Sequence, residues 1–231
     1  MSARLSHTFL LFDIDGTLMD CQGAGRTAFA RTYSEISGAE DVMNNVVVFG
    51  RTDHWIFNEV ERQLGIRMSR ETFLPRYLEI LDEELTAQEP HTFRGITELL
   101  EQLSKRDNVT LGICTGNTRE GAHIKLRHAG LEGYFTDGGF GDHHENRSDV
   151  LREGAKALGW TPGYRLIHIG DTEHDVYAAH TVGAVAVGVA TGAGTLEDLR
   201  AAGADLVLHD LDDGAYFLES LLDTSAGNTK A

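Results

Sequence analysis

The sequence predicts an α/β fold: a doubly wound parallel sheet with a Rossmann-like core, interrupted by an inserted helical segment. Three observations predict it. Short apolar runs of four to six residues recur along the chain, nearly continuous in apolar residues rather than alternating, as strands are when both faces of a sheet are covered. Helix-like segments lie between these runs, which is the pattern of a parallel sheet. One stretch of about 70 residues breaks the alternation and is mostly helical in pattern.

Taken in order, Thr8 to Phe12 reads as the first strand and ends on a carboxylate, Asp13. The stretch from Cys21 to Glu89 follows, with helices expected over Gly25 to Ile36, Asp53 to Leu64 and Arg70 to Ala87. Val46 to Phe49 is its one strand-like run and is equally readable as a loop. Strands are then expected at Val109 to Cys114, Leu166 to Ile169, Ala184 to Val189 and Asp205 to Leu208. Between them the pattern predicts helices over Gly95 to Arg106, Arg119 to His128, Arg147 to Leu158, Thr172 to Thr181 and Thr195 to Ala202. Leu99, Leu100 and Leu103 give the first of these an i, i+3/i+4 apolar stripe. Residues 1–19 and 91–231 are assigned to the α/β core and 20–90 to a small lid. Its hinges fall at Leu18 to Cys21 and Glu89 to Arg94, the second marked by Pro90 and Gly95. The tail Thr224 to Ala231 is small and polar, and is expected to fray.

The 231 residues carry 20 Lys+Arg against 36 Asp+Glu, a formal charge of -16. Such a surface repels phosphate backbones and anionic lipid heads, so neither nucleic acid nor a membrane surface is an expected partner. An anionic substrate needs a local cation or a bound metal. The two cysteines, Cys21 and Cys114, make no disulfide framework. The N-terminal apolar run is too short for a signal peptide, and Val182 to Ala190 is far short of a membrane span. A cytoplasmic protein, monomer or homodimer, is the expectation.

In open parallel sheets ligands bind beyond the carboxyl ends of the strands. The first strand is followed by Asp13-Ile14-Asp15-Gly16-Thr17, the Val109 strand by Thr115-Gly116-Asn117, and the Leu166 strand by Gly170-Asp171 with Asp175 four residues on. Four carboxylates and a hydroxyl therefore meet at one sheet edge. A lone aspartate there is ordinarily a helix cap or a turn residue. Several together are another matter, because two like charges ~4 Å apart repel by about 4 kcal/mol at an effective dielectric of ~20. A compensating cation is implied, and hard oxygen donors favour Mg²⁺ over zinc. With a metal screening its charge, a phosphate monoester can approach an aspartate nucleophile, which forms an aspartyl-phosphate. Thr115 and the N–H groups of Gly116 and Asn117 suit the phosphate oxygens.

The Asp-Ile-Asp-Gly-Thr block, Thr115 in ICTGN and the Gly-Asp-Thr-Glu-His-Asp block at 170–175 resemble the three diagnostic motifs of the haloacid dehalogenase-like hydrolases, over roughly Phe9 to Val207. The overall pattern is most similar to the phosphoglycolate-phosphatase-like subgroup with a small α-helical cap. The resemblance implies that Asp13 is the nucleophile and Asp15 the general acid/base. It implies that Asp13, the Asp15 carbonyl and Asp171 hold Mg²⁺, with Asp175 in support. The family's usual lysine before the third-motif helix is absent from GDHHENRSDV, so Arg147 is assigned to the phosphate. Lys125 and Lys156 lie further along their helices. In this family the cap reads the organic part of the substrate, which makes Arg26 and Arg51 candidates for a second anionic group.

The expected function is hydrolysis of a small phosphorylated metabolite, phosphoglycolate-like or a sugar phosphate. A sugar phosphomutase of the same fold is the alternative, and a non-catalytic binding module a more distant one. A phosphonate hydrolase of this family needs a cap lysine, and Cys21 to Pro90 contains none. Gly23-Ala24-Gly25-Arg26-Thr27-Ala28 fits a loose dinucleotide pattern but does not directly follow a strand. Asp142-His143-His144-Glu145 lacks a second ligand pair at metal spacing. Cys21 and Cys114 read as packing residues rather than reactive thiols.

Overall fold

The structure, a computed structural model, describes residues 7–223. Along the chain run β1 (Thr8–Phe12), β2 (Met19–Asp20), α1 (Ala24–Ser37), α2 (Asp53–Leu64), α3 (Arg70–Gln88), β3 (His91–Thr92), α4 (Ile96–Leu103), β4 (Val109–Cys114), α5 (Arg119–His128), β5 (Gly138–Gly139), α6 (Arg147–Ala157), β6 (Arg165–Gly170), α7 (Glu173–Val182), β7 (Val185–Val189), α8 (Leu196–Ala201), β8 (Leu206–Leu208) and α9 (Leu211–Asp223).

Six strands pair in parallel in the order β5-β4-β1-β6-β7-β8. All five residues of the central strand β1 are buried, which is why its sequence is apolar from Phe9 to Phe12. One apolar cluster, with Leu10, Phe12, Ile113 and Ile167, lies on one face, and another, with Phe9, Leu11, Val150 and Leu166, on the other. The register decides where the site falls. Phe12 stands opposite Ile113 of β4 and Ile169 of β6. Asp13 therefore comes level with Cys114 and Gly170, and Thr115 and Asp171 lie one residue beyond, on either side of it.

The first two long strands and the helices between the later strands fall within a residue or two of expectation, and α5 and α2 match it at both ends. Val46 to Phe49 takes no strand conformation; it is loop and turn. The expected reading did not include the glycine pair β5, the short antiparallel β2–β3 ladder (Met19 opposite Thr92, Asp20 opposite His91) or α9. The tail Thr224 to Ala231 lies outside the described residues.

Helices α1 to α3 lie between β2 and β3 in sequence. Their common core is aromatic: Phe29 and Tyr77 have ring centroids 4.6 Å apart, and Tyr33 and Phe73 4.8 Å. Thr52 caps α2, accepting from the Trp55 N–H at 3.1 Å, and Gly65 closes it in the left-handed conformation. The start of α2 docks on the strand ends: the Asp53 N–H donates to the Gly116 carbonyl at 2.7 Å and the His54 N–H to that of Gly141 at 3.1 Å. No helix among the described residues is long and apolar enough to cross a membrane.

Candidate active site

Asp13 leaves β1 with its N–H bonded to the Ile169 carbonyl at 2.9 Å, so the backbone of β6 fixes where its side chain starts. The chain then turns back through Gly16, at a φ of 77°. A Cβ on Gly16 would stand 2.5 Å from Asp171 Oδ2. Glycine is therefore required twice over, for the backbone conformation and for the approach of the third loop.

Asp13, Asp171 and Asp175 are buried, and each offers an oxygen within 4.8 Å of the others. Asp175 is fully engaged. Arg147 Nε donates to its Oδ1 at 3.0 Å, His168 Nε2 lies 3.1 Å from the same oxygen, and the Thr172 N–H and hydroxyl donate to Oδ2 at 3.1 and 2.7 Å. Burial works against its ionisation, but Arg147, His168 and Thr172 outweigh it and hold the carboxyl far below the usual range. Arg147 also reaches Asp13, with Nη2 2.7 Å from Oδ2. Asp13 is raised, chiefly by burial, although Arg147 opposes the shift.

Asp171 has no cation of its own. The Ala193 N–H donates to its Oδ2 at 2.7 Å, while burial, then Asp175 and Asp13, push its carboxyl well above the usual range. Three buried carboxylates thus lie around one guanidinium, which of the three bonds only Asp13 and Asp175. Hard oxygen donors in this number, with uncompensated charge, fit a divalent metal ion.

Across the pocket, Asp15 does not join this group. Its carboxylate, open to the pocket, accepts from Lys125 Nζ at 2.8 Å (Oδ1) and 2.7 Å (Oδ2), and from Asn117 Nδ2 at 2.7 Å. Burial raises its pKa, but Lys125 and Asn117 outweigh that and leave it lowered. Asn117 also donates to the Thr115 hydroxyl at 2.8 Å and accepts from Lys125 at 2.6 Å. The second loop is thereby tied to the first. The Gly116 N–H carries no hydrogen bond among the described residues. Arg147 lies near this loop as well: a Cβ on Gly116 would come within 3.0 Å of its Nη1.

The sequence reading placed the cation at Arg147 and passed over Lys125. The signal was available. Buried positions on α5 are Gly121, Ala122, Lys125 and Leu126, so the lysine stands in the helix's own apolar stripe rather than on its polar face.

A cavity of about 440 Å³ joins these groups to the inserted helices, with Phe29, Ile56 and Tyr77 among its apolar walls. Arg26 and Arg51 both line it and differ in availability. Arg26 donates to the carbonyls of Val46 (3.0 Å) and Met43, so its guanidinium braces the loop before α2. Arg51 stacks 4.5 Å over the Trp55 ring, and its buried Nε has no hydrogen-bond partner among the described residues. Cys21 and Cys114 are buried thiols pushed upward chiefly by burial, which suits packing rather than nucleophilic chemistry. Among the described residues the only group arranged to hold a metal is the aspartate trio; His144 instead meets Glu153 at 2.5 Å.

The family described as haloacid dehalogenase-like hydrolase matches residues 10–189. The chain belongs to that family. It is a hydrolase of that family, and its relatives include proteins named as phosphatases. It is 28% identical over 205 residues to a protein named phosphoglycolate phosphatase from Synechococcus elongatus, covering 88% of this chain and 93% of the relative. It is 30% identical over 224 residues to tyrosine-protein kinase PtkA of Mycobacterium tuberculosis, covering 85% and 72%. Among solved structures it superposes on CbbY from Rhodobacter sphaeroides, solved in complex with phosphate, with a TM-score of 0.71 at 18% identity over 90% of this chain and 96% of the other; that likeness is one of fold.

Proposed function

We propose that the chain is a Mg²⁺-dependent phosphomonoester hydrolase that takes a small phosphorylated metabolite, of the phosphoglycolate or sugar phosphate kind, through an aspartyl-phosphate on Asp13. The observation that carries this reading is the placement of Asp13 between an arginine shared with the phosphate loop and an aspartate that lacks a cation.

Asp13, the Asp15 carbonyl and Asp171 would hold the metal, with Asp175 anchoring Arg147 beside them. When bound, Mg²⁺ supplies positive charge that offsets the repulsion between the carboxylates and a phosphate dianion. The chain's own residues do the rest. Arg147, the Thr115 hydroxyl and the N–H groups of Gly116 and Asn117 receive the phosphate oxygens. An Asp13 oxygen attacks phosphorus and forms an O–P bond. Asp15, ionised at rest beside Lys125 and Asn117, takes up a proton from solvent; the ester P–O bond breaks, and its electron pair takes that proton from Asp15. Water then attacks phosphorus and passes a proton to Asp15, and the Asp13–phosphorus bond breaks to release inorganic phosphate and the free carboxylate.

Residues 20–90 form the cap in this reading, with β2 and β3 as its joint to the core. The cavity volume lies in the range of small-ligand sites and its mixed lining suits a small organic group. Arg51, with its unengaged Nε, is the better of the two arginines to meet a second anionic group. The relative named phosphoglycolate phosphatase supports a small acid as that group. The acidic balance, which repels nucleic-acid backbones and anionic lipid heads, supports a small metabolite as the partner.

The test is phosphate release from p-nitrophenyl phosphate and a panel of glycolate, glycerol and hexose phosphates. Release is expected with Mg²⁺ and is expected to vanish with EDTA or in Asp13→Asn. Full turnover by Asp13→Asn overturns the reading. Isomerisation of a sugar phosphate in the presence of its bisphosphate, in place of phosphate release, would favour the mutase.

A further inference from the structure

Lys125 has no part in the steps above, yet its ammonium is buried at their centre. The side chain is 3% exposed and donates to both oxygens of Asp15 and to Asn117 Oδ1. An ammonium has three protons, and three acceptors at 2.6 to 2.8 Å meet them. Taking such a charge out of water is unfavourable until it is paired. An apolar side chain at that position would fill the stripe of α5 without that cost, so packing does not explain the lysine.

What an ammonium adds is a fixed point. Asp15 sits on a turn, open to the pocket, where a carboxyl has freedom to swing. Lys125 grips it from a helix whose position is set by the second loop. Asn117 repeats the tie, since its amide bonds Asp15 on one side and the Thr115 hydroxyl on the other. The inserted helices complete the enclosure: a Cβ on Gly25 of α1 would lie 3.5 Å from Lys125 Nζ.

We propose that Lys125 is a positioning residue for proton transfer: it holds the Asp15 carboxyl in register with the phosphate loop, aimed at the oxygen that leaves phosphorus. The proposal rests on the phosphatase reading, with Asp15 as the acid/base. It carries a signature that a structural lysine would lack. An alkoxide departs only as it is given a proton, whereas p-nitrophenolate departs without one. Misaiming Asp15 therefore penalises alkyl phosphates selectively.

The experiment compares kcat/KM of the wild type, Lys125→Met and Lys125→Arg on p-nitrophenyl phosphate and on the best alkyl phosphate of the panel, with melting temperatures recorded alongside. Lys125→Met is expected to lose about 100-fold or more on the alkyl ester and about tenfold or less on the aryl ester. Lys125→Arg, which retains a cation, should recover part of the alkyl loss. Equal losses on the two esters overturn the proposal. So does a wild type that hydrolyses the aryl ester and no alkyl phosphate, because Asp15 is then not the proton donor. If Lys125→Met fails to fold, the same comparison is made on Lys125→Arg, where a selective alkyl loss supports the proposal and an equal loss overturns it. A wild type silent on every ester instead overturns the phosphatase reading, and this proposal with it.

Discussion

The Arg147 guanidinium stands 2.7 Å from the Asp13 carboxylate, and both side chains are buried. One cation therefore serves the residue that would attack phosphorus while also anchoring Asp175. Removing it leaves two buried carboxylates without their partner. Arg147→Met should cost about 3–5 kcal/mol of stability and abolish detectable turnover. Arg147→Lys keeps a charge without the two-pronged geometry, so it should fold better than the methionine variant with reduced kcat/KM. Denaturant unfolding and steady-state kinetics check both.

Asp171 is the carboxylate with no cation, so metal binding should be read most directly through it. Wild-type protein should gain melting temperature with millimolar Mg²⁺, because a ligand that binds only the folded state stabilises it. Asp171→Asn should lose that gain. In EDTA the variant should melt no lower than wild type, since the amide relieves repulsion within the trio. Thermal melts with and without the metal give the answer.

Asp53 ties α2 to the core through the Thr118 N–H at 2.7 Å, and burial pushes its carboxyl up to about 7 despite nearby Lys125. A pKa higher in the folded than in the unfolded chain means that its contribution to stability is fullest below the unfolded value of about 3.9 and is lost as pH rises through about 7. Asp53→Asn can still accept from Thr118 and does not ionise. Its melting temperature should match wild type near pH 4, exceed it increasingly up to about pH 7, and hold a constant lead above that. A gap that closes with rising pH would contradict the assignment.

Gly116, in the second loop, is pressed against the inserted segment, and an added Cβ would collide with the Arg51 carbonyl. Gly116→Ala should cost about 1–3 kcal/mol through overpacking. It should also depress kcat/KM, by displacing the second loop from the Asp53 N–H that holds it at 2.7 Å. Melting curves and phosphate release measure the two effects.

The main strands were legible because a sheet buried on both faces demands nearly continuous apolar runs, as in Phe9 to Phe12. Their order and the parallel register then carry Asp13, Thr115 and Asp171 to one edge, which chain position alone suggests. β5 escaped notice because Gly138 and Gly139 have no side chains to form a pattern. A Cβ on Gly138 would meet the Ile113 backbone, so the glycines are there for close approach. The β2–β3 pair is two residues long and too short for any periodicity to register. Arg26 read as a substrate ligand because a sequence does not show backbone acceptors; its partners are carbonyls 17 and 20 residues away in the chain. Lys125 is passed over for Arg147 because it lies well along its helix, and only its buried helical neighbours mark it as facing inward.

The β2–β3 ladder brings both ends of residues 21–90 together at Met19 and Thr92. Across such an antiparallel pair the strands are only about 5 Å apart. A tight turn could bridge that gap, so the whole stretch is interchangeable in principle, a cassette that could be excised or transplanted without unpicking the parallel sheet. New substrate preferences could then arise by exchanging this one module while the catalytic edge stays as it is.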